Sequence, residues 1–278
     1  MMATMFPALI LGLTQGLTEF IPVSSSGHLV LVPYLLGFAD PWNQPTVAFD
    51  ATLHLATLLA LLVFFRADLN ELLRSLVRGP NEQRRLAGLL ALASIPAALA
   101  GLLLADFFEK MFKRPLPVAL LLLGTAAILL TGDWIAGRRR TPAREDVEDT
   151  TLAQAVAIGM AQAMAILPGI SRSGSTISTG IATGLSREAA ARFSFLLAIP
   201  AIGGAAAVQV PKLFNGAGPW LGAGPIAVGF VAAAVTGYLS IGYLLRRLAA
   251  GDLRGFAKYC VVAGVLGVLG WAMNEGPL

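Results

Sequence analysis

The chain is poor in charge, in cysteine and in histidine. Of its 278 residues only 13% are Asp, Glu, Lys or Arg, while 56% are hydrophobic. An average soluble domain carries about 25% charged residues. Ordinary soluble domains are therefore excluded, because too little polar side chain remains to cover their surface. Disorder is excluded too, since disordered chains are poor in apolar residues. Cys260 is the single cysteine, which rules out a disulfide framework and a cysteine zinc site; it lies in an apolar run as packing filler. Two histidines, His28 and His54, leave no metal-spaced Cys/His set. No GxxxxGK(S/T) phosphate loop and no HExxH helix is present. The N-terminus, MMATMFPALILG, has no basic n-region, so a cleaved signal peptide is not expected.

What the chain does have is long apolar runs and a mean hydropathy of +0.73. Five or six runs reach the length of about 20 residues that crosses a bilayer: 47–65, 86–104, 116–135, 188–210, 221–245 and 256–273. Two further stretches, 5–37 and 152–184, are broken by polar segments, PVSSSGH at 22–28 and PGISRSGST at 168–176. Each half beside a break is short for a span. Irregular backbone at membrane depth survives only against protein or a water-filled cavity. Both stretches are therefore expected to be re-entrant helix–loop–helix segments.

The expected fold is all-α and polytopic, with six transmembrane helices and two re-entrant segments. The loops at 66–85, 136–150, 185–192 and 246–258 then share one side and hold 15 of the 20 Lys and Arg. Lys110, Lys113, Arg114 and Lys212 lie on the other side, and Arg172 lies inside the second break. Basic short loops stay cytoplasmic. Both termini and the first break are thus expected on the outer, periplasmic side of a cytoplasmic (inner) membrane. The net charge of +4 belongs to these loops and does not indicate nucleic acid.

The breaks are related to each other. Shifting the sequence by 147 lays Gly12 on Gly159, Gln15 on Gln162, Ser24 on Ser171, Ser26 on Ser173, Gly27 on Gly174 and Gly37 on Gly184. Three spans separate the copies, an odd number, so the second is inverted. The expected organisation is a first repeat at 1–136, a cytoplasmic linker at 137–150 and an inverted second repeat at 151–278. Secondary transporters often use such repeats. A transporter or lipid flippase for a phosphorylated lipid or anion is therefore the competing reading, and phosphate release by the purified protein separates the two.

The polar residues of the breaks carry the chemistry. Gln15 and Glu19 are four apart and share a helix face. A carboxylate at membrane depth is costly and marks a functional site by default. Pro22 ends that helix, and Ser24, Ser25, Ser26, Gly27 and His28 follow. The second break offers Ser171, Arg172, Ser173, Gly174 and Thr176 at a helix N-terminus. There free N–H groups and the helix dipole favour an anion, and an Arg fork suits phosphate. Arg172 wants either Glu19 or a phosphate as its partner. Face to face, the loops offer an acid, hydroxyls, an imidazole and a phosphate clamp, a set suited to phosphoryl transfer. Asp50 and His54, four apart at the start of a span, either line the cavity or end a helix, with the second slightly preferred. Pro96 and Pro200 read as kinks within spans.

QGLTEFIPVSSSGH at 15–28 resembles the signature of the bacterial undecaprenyl-pyrophosphate phosphatases of the bacitracin-resistance type, an acid or Gln four residues before an acid, then PVSSxGH. PGISRSGST at 168–176 is similar to that family's PGxSRSG motif. Length and hydropathy agree along the whole chain. The resemblance implies hydrolysis of undecaprenyl pyrophosphate to the monophosphate and inorganic phosphate. This recycles the cell-wall carrier lipid and confers bacitracin resistance. It implies catalytic roles for Glu19 as the second acid of the signature, for Ser25 as the proposed nucleophile with His28 as the alternative, and for Arg172 as clamp; Glu19 or His28 is expected to take the serine proton. Gln15, Ser24, Ser26, Gly27, Ser171, Ser173, Gly174 and Thr176 are implied as substrate-binding. Gln15 departs from the commoner Glu, which leaves a second carboxylate ligand in question; Ser26 replaces a frequent Thr and keeps the hydroxyl. A divalent cation, Mg2+ or Ca2+, is expected to bridge Glu19 and the diphosphate, with no organic cofactor. Membrane lipids are expected partners, and a homodimer is left open.

Overall fold

The computed structural model describes residues 2–38, 47–77, 81–139, 142–214, 222–251 and 253–274. These form twelve helices: α1 Met2–Phe20, α2 Ser25–Leu35, α3 Val47–Phe64, α4 Arg66–Val77, α5 Glu82–Leu103, α6 Ala105–Phe112, α7 Pro115–Gly137, α8 Leu152–Met164, α9 Arg172–Thr183, α10 Arg187–Phe214, α11 Ala223–Ala250 and α12 Arg254–Asn274. Among the described residues there is no strand, only an isolated bridge between Arg144 and Leu185. The protein is all-α and polytopic. α5, α7, α10, α11 and α12 are long and apolar enough to cross a membrane, and α3 with α4 makes a sixth candidate bent by 77°.

The bend corrects one expectation. Residues 66–77 are not loop but α4, whose Leu69 and Leu72 pack on the core while Leu73, Leu76 and Val77 stay exposed. Apolar residues three and four apart make one stripe of a helix, and a charged helix of this kind suits the membrane interface. An Asp68–Arg192 ion pair ties it to α10. Arg187 and Arg192 likewise sit in the first turns of α10 rather than in a loop. α1 is also longer than expected, at 19 residues. α6 is a short helix within the stretch that the sequence reading left as a loop between the spans at 86–104 and 116–135.

Helices approach closely where glycine replaces bulk. A Cβ on Gly12 would stand 2.4 Å from the Gly229 carbonyl oxygen on α11, and one on Gly159 would stand 2.6 Å from the Ala93 carbonyl on α5. Lipid supplies no hydrophobic drive between helices, so small residues that admit close backbone contact take over that role. The two related segments thus each lay a glycine against a neighbouring span. The largest apolar cluster gathers Phe20, Phe65, Phe193 and Phe195 with Leu61, Leu90 and Ile177. Phe20 and Phe195 meet edge-on with centroids 5.7 Å apart. This cluster anchors the end of α1 against α10, directly behind Glu19. Cys260 is buried, its Sγ 3.8 Å from the Pro22 carbonyl.

The linker is docked. Arg139 donates to the Ile181 and Ala182 carbonyls at the end of α9, where a cation satisfies open carbonyls and the helix dipole. Arg144 exchanges backbone bonds with Gly184 and Ser186 at 2.9 and 2.8 Å. Gln83 and Arg85 of α5 hold Glu148. Asp133 on α7 receives Arg187 at 2.7 Å and the Leu253 N–H at 2.6 Å, joining α7, α10 and α12.

Candidate active site

Both broken segments end in a serine-capped helix. Ser24 caps α2, its Oγ accepting from the Gly27 N–H at 3.3 Å. Ser171 caps α9 and accepts from the Gly174 N–H at 3.0 Å. Serine is preferred at this position because its oxygen satisfies an otherwise open donor. Ser26 lies 3.3 Å from Ser24 Oγ, and Ser173 lies 3.2 Å from Ser171 Oγ. The 147-residue relation is thus repeated bond for bond. The loops also touch: Ser173 donates to the Ile21 carbonyl at 3.3 Å, and a Cβ on Gly27 would stand 3.1 Å from Gly169 Cα. Gly169 itself has φ of +101°, and a Cβ there would strike the Val118 carbonyl at 2.4 Å. Only glycine turns the chain at that point.

Glu19 sits where the two helix starts converge. Its side chain is 6% exposed. Oε1 accepts from Arg172 Nη2 at 3.0 Å. Oε2 accepts from Ser25 Oγ at 2.5 Å and from Gln15 Nε2 at 3.1 Å. A buried charge persists only when paired and hydrogen-bonded, and here three donors from α1, α2 and α9 meet that demand. Arg172 is further held by the Ser194 carbonyl of α10 at 3.4 Å. Ser25, Ser26 and Arg172 are half-buried, so the open side of the cluster faces them. The first-turn N–H groups of α2 and α9 lack intrahelical partners, and each helix presents its positive end. Two such ends, a guanidinium and two serines make a cradle for a doubly charged phosphate group.

The structure separates the other expected residues. His28 does not join Glu19. Its Nδ1 is 2.8 Å from the Ser24 carbonyl and its Nε2 is 2.8 Å from Tyr259 Oη on α12. Thr176 is buried, with its hydroxyl 2.6 Å from Ser194 Oγ and 2.8 Å from the Arg172 carbonyl. It braces the clamp from behind instead of facing the cradle.

Three residues were missed. His54, read with Asp50 as more a helix end than a cavity wall, brings Nε2 to 3.9 Å from Glu19 Oε2. Thr125 on α7 donates to the Gly169 carbonyl at 2.8 Å and accepts from the Ser171 N–H at 2.9 Å, fixing the second loop. Ser194 holds both Arg172 and Thr176. The Asp50–His54 spacing was the one available signal; the other two carry none.

Among the described residues no three His, Cys, Asp or Glu side chains gather as a metal set. Both oxygens of Glu19 already accept hydrogen bonds. The side chains present therefore do not form a ready cation site. A Mg2+ or Ca2+ here would have to draw its ligands from a bound phosphate group rather than from these side chains alone.

Comparison with known proteins points the same way. The family described as "Bacitracin resistance protein BacA" matches residues 8–266. A relative in Rubrobacter xylanophilus is 44% identical, covering 93% of this chain and 95% of its own. One in Carboxydothermus hydrogenoformans is 42% identical over 94% and 95%. One in Methanosphaera stadtmanae is 38% identical over 96% and 98%. All three carry the name undecaprenyl-diphosphatase.

Proposed function

The chain belongs to the family of the bacitracin resistance protein BacA, and we infer from that membership and from the geometry around Glu19 that it hydrolyses undecaprenyl diphosphate to undecaprenyl phosphate and inorganic phosphate. It is a multi-pass membrane hydrolase. Its product is the carrier lipid of cell-wall synthesis, and consuming the diphosphate removes the target of bacitracin. The transporter reading is not favoured, because the relatives of this chain carry the name undecaprenyl-diphosphatase; the 2.5 Å hydroxyl–carboxylate bond beside Arg172 supports attack on phosphorus. That bond is the observation on which the assignment chiefly rests.

Arg172 and the first-turn N–H groups of α2 and α9 hold the diphosphate. Ser25 Oγ attacks the terminal phosphorus while Glu19 Oε2 takes its proton. The bond from phosphorus to the bridging oxygen breaks, and undecaprenyl phosphate leaves as an anion. Charge developing on the transferred group meets Arg172 and two helix dipoles already in place, so little reorganisation is needed. Ser25 is preferred to His28 as nucleophile because both ring nitrogens of His28 are engaged. Gln15 orients Glu19, and Ser24, Ser26, Ser171 and Ser173 shape the cradle.

The broken segments enter from opposite faces, with the site and both termini on the outer side. The cation count and the bond-for-bond relation of the loops support this inverted arrangement. The apolar tail lies between spans, in lipid. The test is phosphate release from undecaprenyl diphosphate in detergent, with wild type and Ser25→Ala. Loss of turnover in Ser25→Ala and a trapped phosphoserine at 25 in wild type are expected. Near-native release by Ser25→Ala would overturn the assignment of the nucleophile.

A further inference from the structure

His54 is the group near Glu19 that the scheme above does not use. Its Nδ1 lies 2.8 Å from the Asp50 backbone carbonyl. A carbonyl oxygen only accepts, so Nδ1 carries the hydrogen and the neutral ring presents Nε2 as a lone pair. That lone pair faces Glu19 Oε2 at 3.9 Å. The separation is too long for a direct hydrogen bond, and both atoms are acceptors. A pair of acceptors at this spacing matches a molecule with two hydrogens to give, which is water. Oε2 is also the oxygen bonded to Ser25 Oγ, so water held there lies beside the phosphoserine the first step would leave. The ring is 35% exposed and Glu19 only 6%. His54 thus stands on the solvent side of the carboxylate, where water and protons can come and go.

We propose that His54 Nε2 holds and deprotonates the water that hydrolyses phosphorylated Ser25. In this step the water oxygen forms a bond to phosphorus and the phosphorus–Oγ bond of Ser25 breaks. One water proton passes to His54 Nε2. The proton taken up by Glu19 in the first step returns to Ser25 Oγ. Inorganic phosphate leaves, and His54 gives its proton to solvent. The two half-reactions then have separate bases, Glu19 for the attack by Ser25 and His54 for the attack by water. This inference rests on the Ser25 route of the preceding subsection.

The test is rapid-quench kinetics on undecaprenyl diphosphate labelled in its terminal phosphate, with wild type, His54→Ala, His54→Gln and Ser25→Ala. His54→Ala should phosphorylate Ser25 at close to the wild-type rate and then stall. Label accumulates on the protein, and steady turnover falls by about a hundredfold, the usual worth of a general base. Added imidazole should release the trapped phosphate, which a structural role for the ring would not allow. His54→Gln keeps an acceptor and should recover part of the loss. If His54→Ala slows phosphorylation and turnover equally, without accumulating label, the inference is overturned. Full turnover by His54→Ala overturns it too. Absence of phosphoserine in wild type, or activity in Ser25→Ala, removes the Ser25 route and the inference with it, a distinct pattern.

Discussion

Ser24–Gly27 and Ser171–Gly174 close their helices with the same bonds and then part company at the first helical residue. Each loop has a serine cap, a second serine two residues on and a glycine N–H donating back to the cap. Between cap and second serine stands Ser25 in one loop and Arg172 in the other. Both side chains reach Glu19, one to each oxygen. The shared residues build two converging helix starts; in the proposed scheme the residue at that one position decides whether a start attacks or clamps. A second difference lies in the backbone. Ser24 has φ of +70°, in a region that only glycine enters freely, while Ser171 has φ of −75°. The loop that carries Ser25 is strained and the loop that carries Arg172 is relaxed, the difference the proposed scheme calls for if Ser25 must be fixed against a carboxylate.

Removing what distinguishes the loops should have the largest effects. Arg172→Ala should abolish phosphate release, and Arg172→Lys should not restore it. A single ammonium cannot donate to Glu19 and the Ser194 carbonyl in the fork geometry of a guanidinium. Near-native turnover by the Lys variant would dissolve the contrast between clamp and nucleophile. Glu19→Gln should lower turnover by at least about a hundredfold, measured with the same assay; a mild loss would reduce Glu19 to a structural counter-ion. Thr125→Val should cost about 1–3 kcal/mol of stability, because it leaves the buried Ser171 N–H and Gly169 carbonyl without a partner. Chemical unfolding in detergent measures this, and an unchanged midpoint would show that the second loop needs no brace. The smallest effect tests the strain directly. Ser24→Gly relieves a positive φ worth about 1–3 kcal/mol and loses a cap that glycine replaces at a cost of a few tenths, so it should unfold later than wild type. Ser171→Gly relieves nothing and should unfold earlier. Shifts of the same sign would mean that the two caps are energetically alike.

The sequence carried the fold class, five of the six spans within a few residues, with α3 and its bent partner α4 as the candidate sixth, and the two motifs that meet at Glu19. Apolar run length and cation placement are local properties, and they survive folding. α4 was hidden because its four charged residues, read as loop, outweighed the three-and-four spacing of Leu69, Leu72, Leu73 and Leu76. His54, Thr125 and Ser194 lay beyond reach for another reason. Each stands on a largely apolar helix, and its role depends on which face that helix turns to α1 or α9. Asp50 and His54 were seen as a pair, but a spacing of four fixes a shared face without saying what the face meets. His28 shows the converse: its place in a polar motif suggested the reaction centre, whereas its ring turns to Tyr259 on α12, 231 residues away in sequence. Asp133, too, holds α10 and α12 through bonds that no local pattern foretells.

Glu19 and Arg172 are separated by 153 residues, which gives the order of synthesis a physical meaning. At about 5–20 residues per second the carboxylate leaves the ribosome some 8–30 s before its guanidinium. During that interval a charged Glu19 in the membrane would lack the partner that offsets its burial. The first segment is therefore expected to wait at the interface, or to carry a protonated acid, and to reach its final depth when the second arrives. Cysteine accessibility at position 25 in ribosome-stalled chains would show this. Protection that appears before residue 172 has been made would mean that the first half seats itself alone.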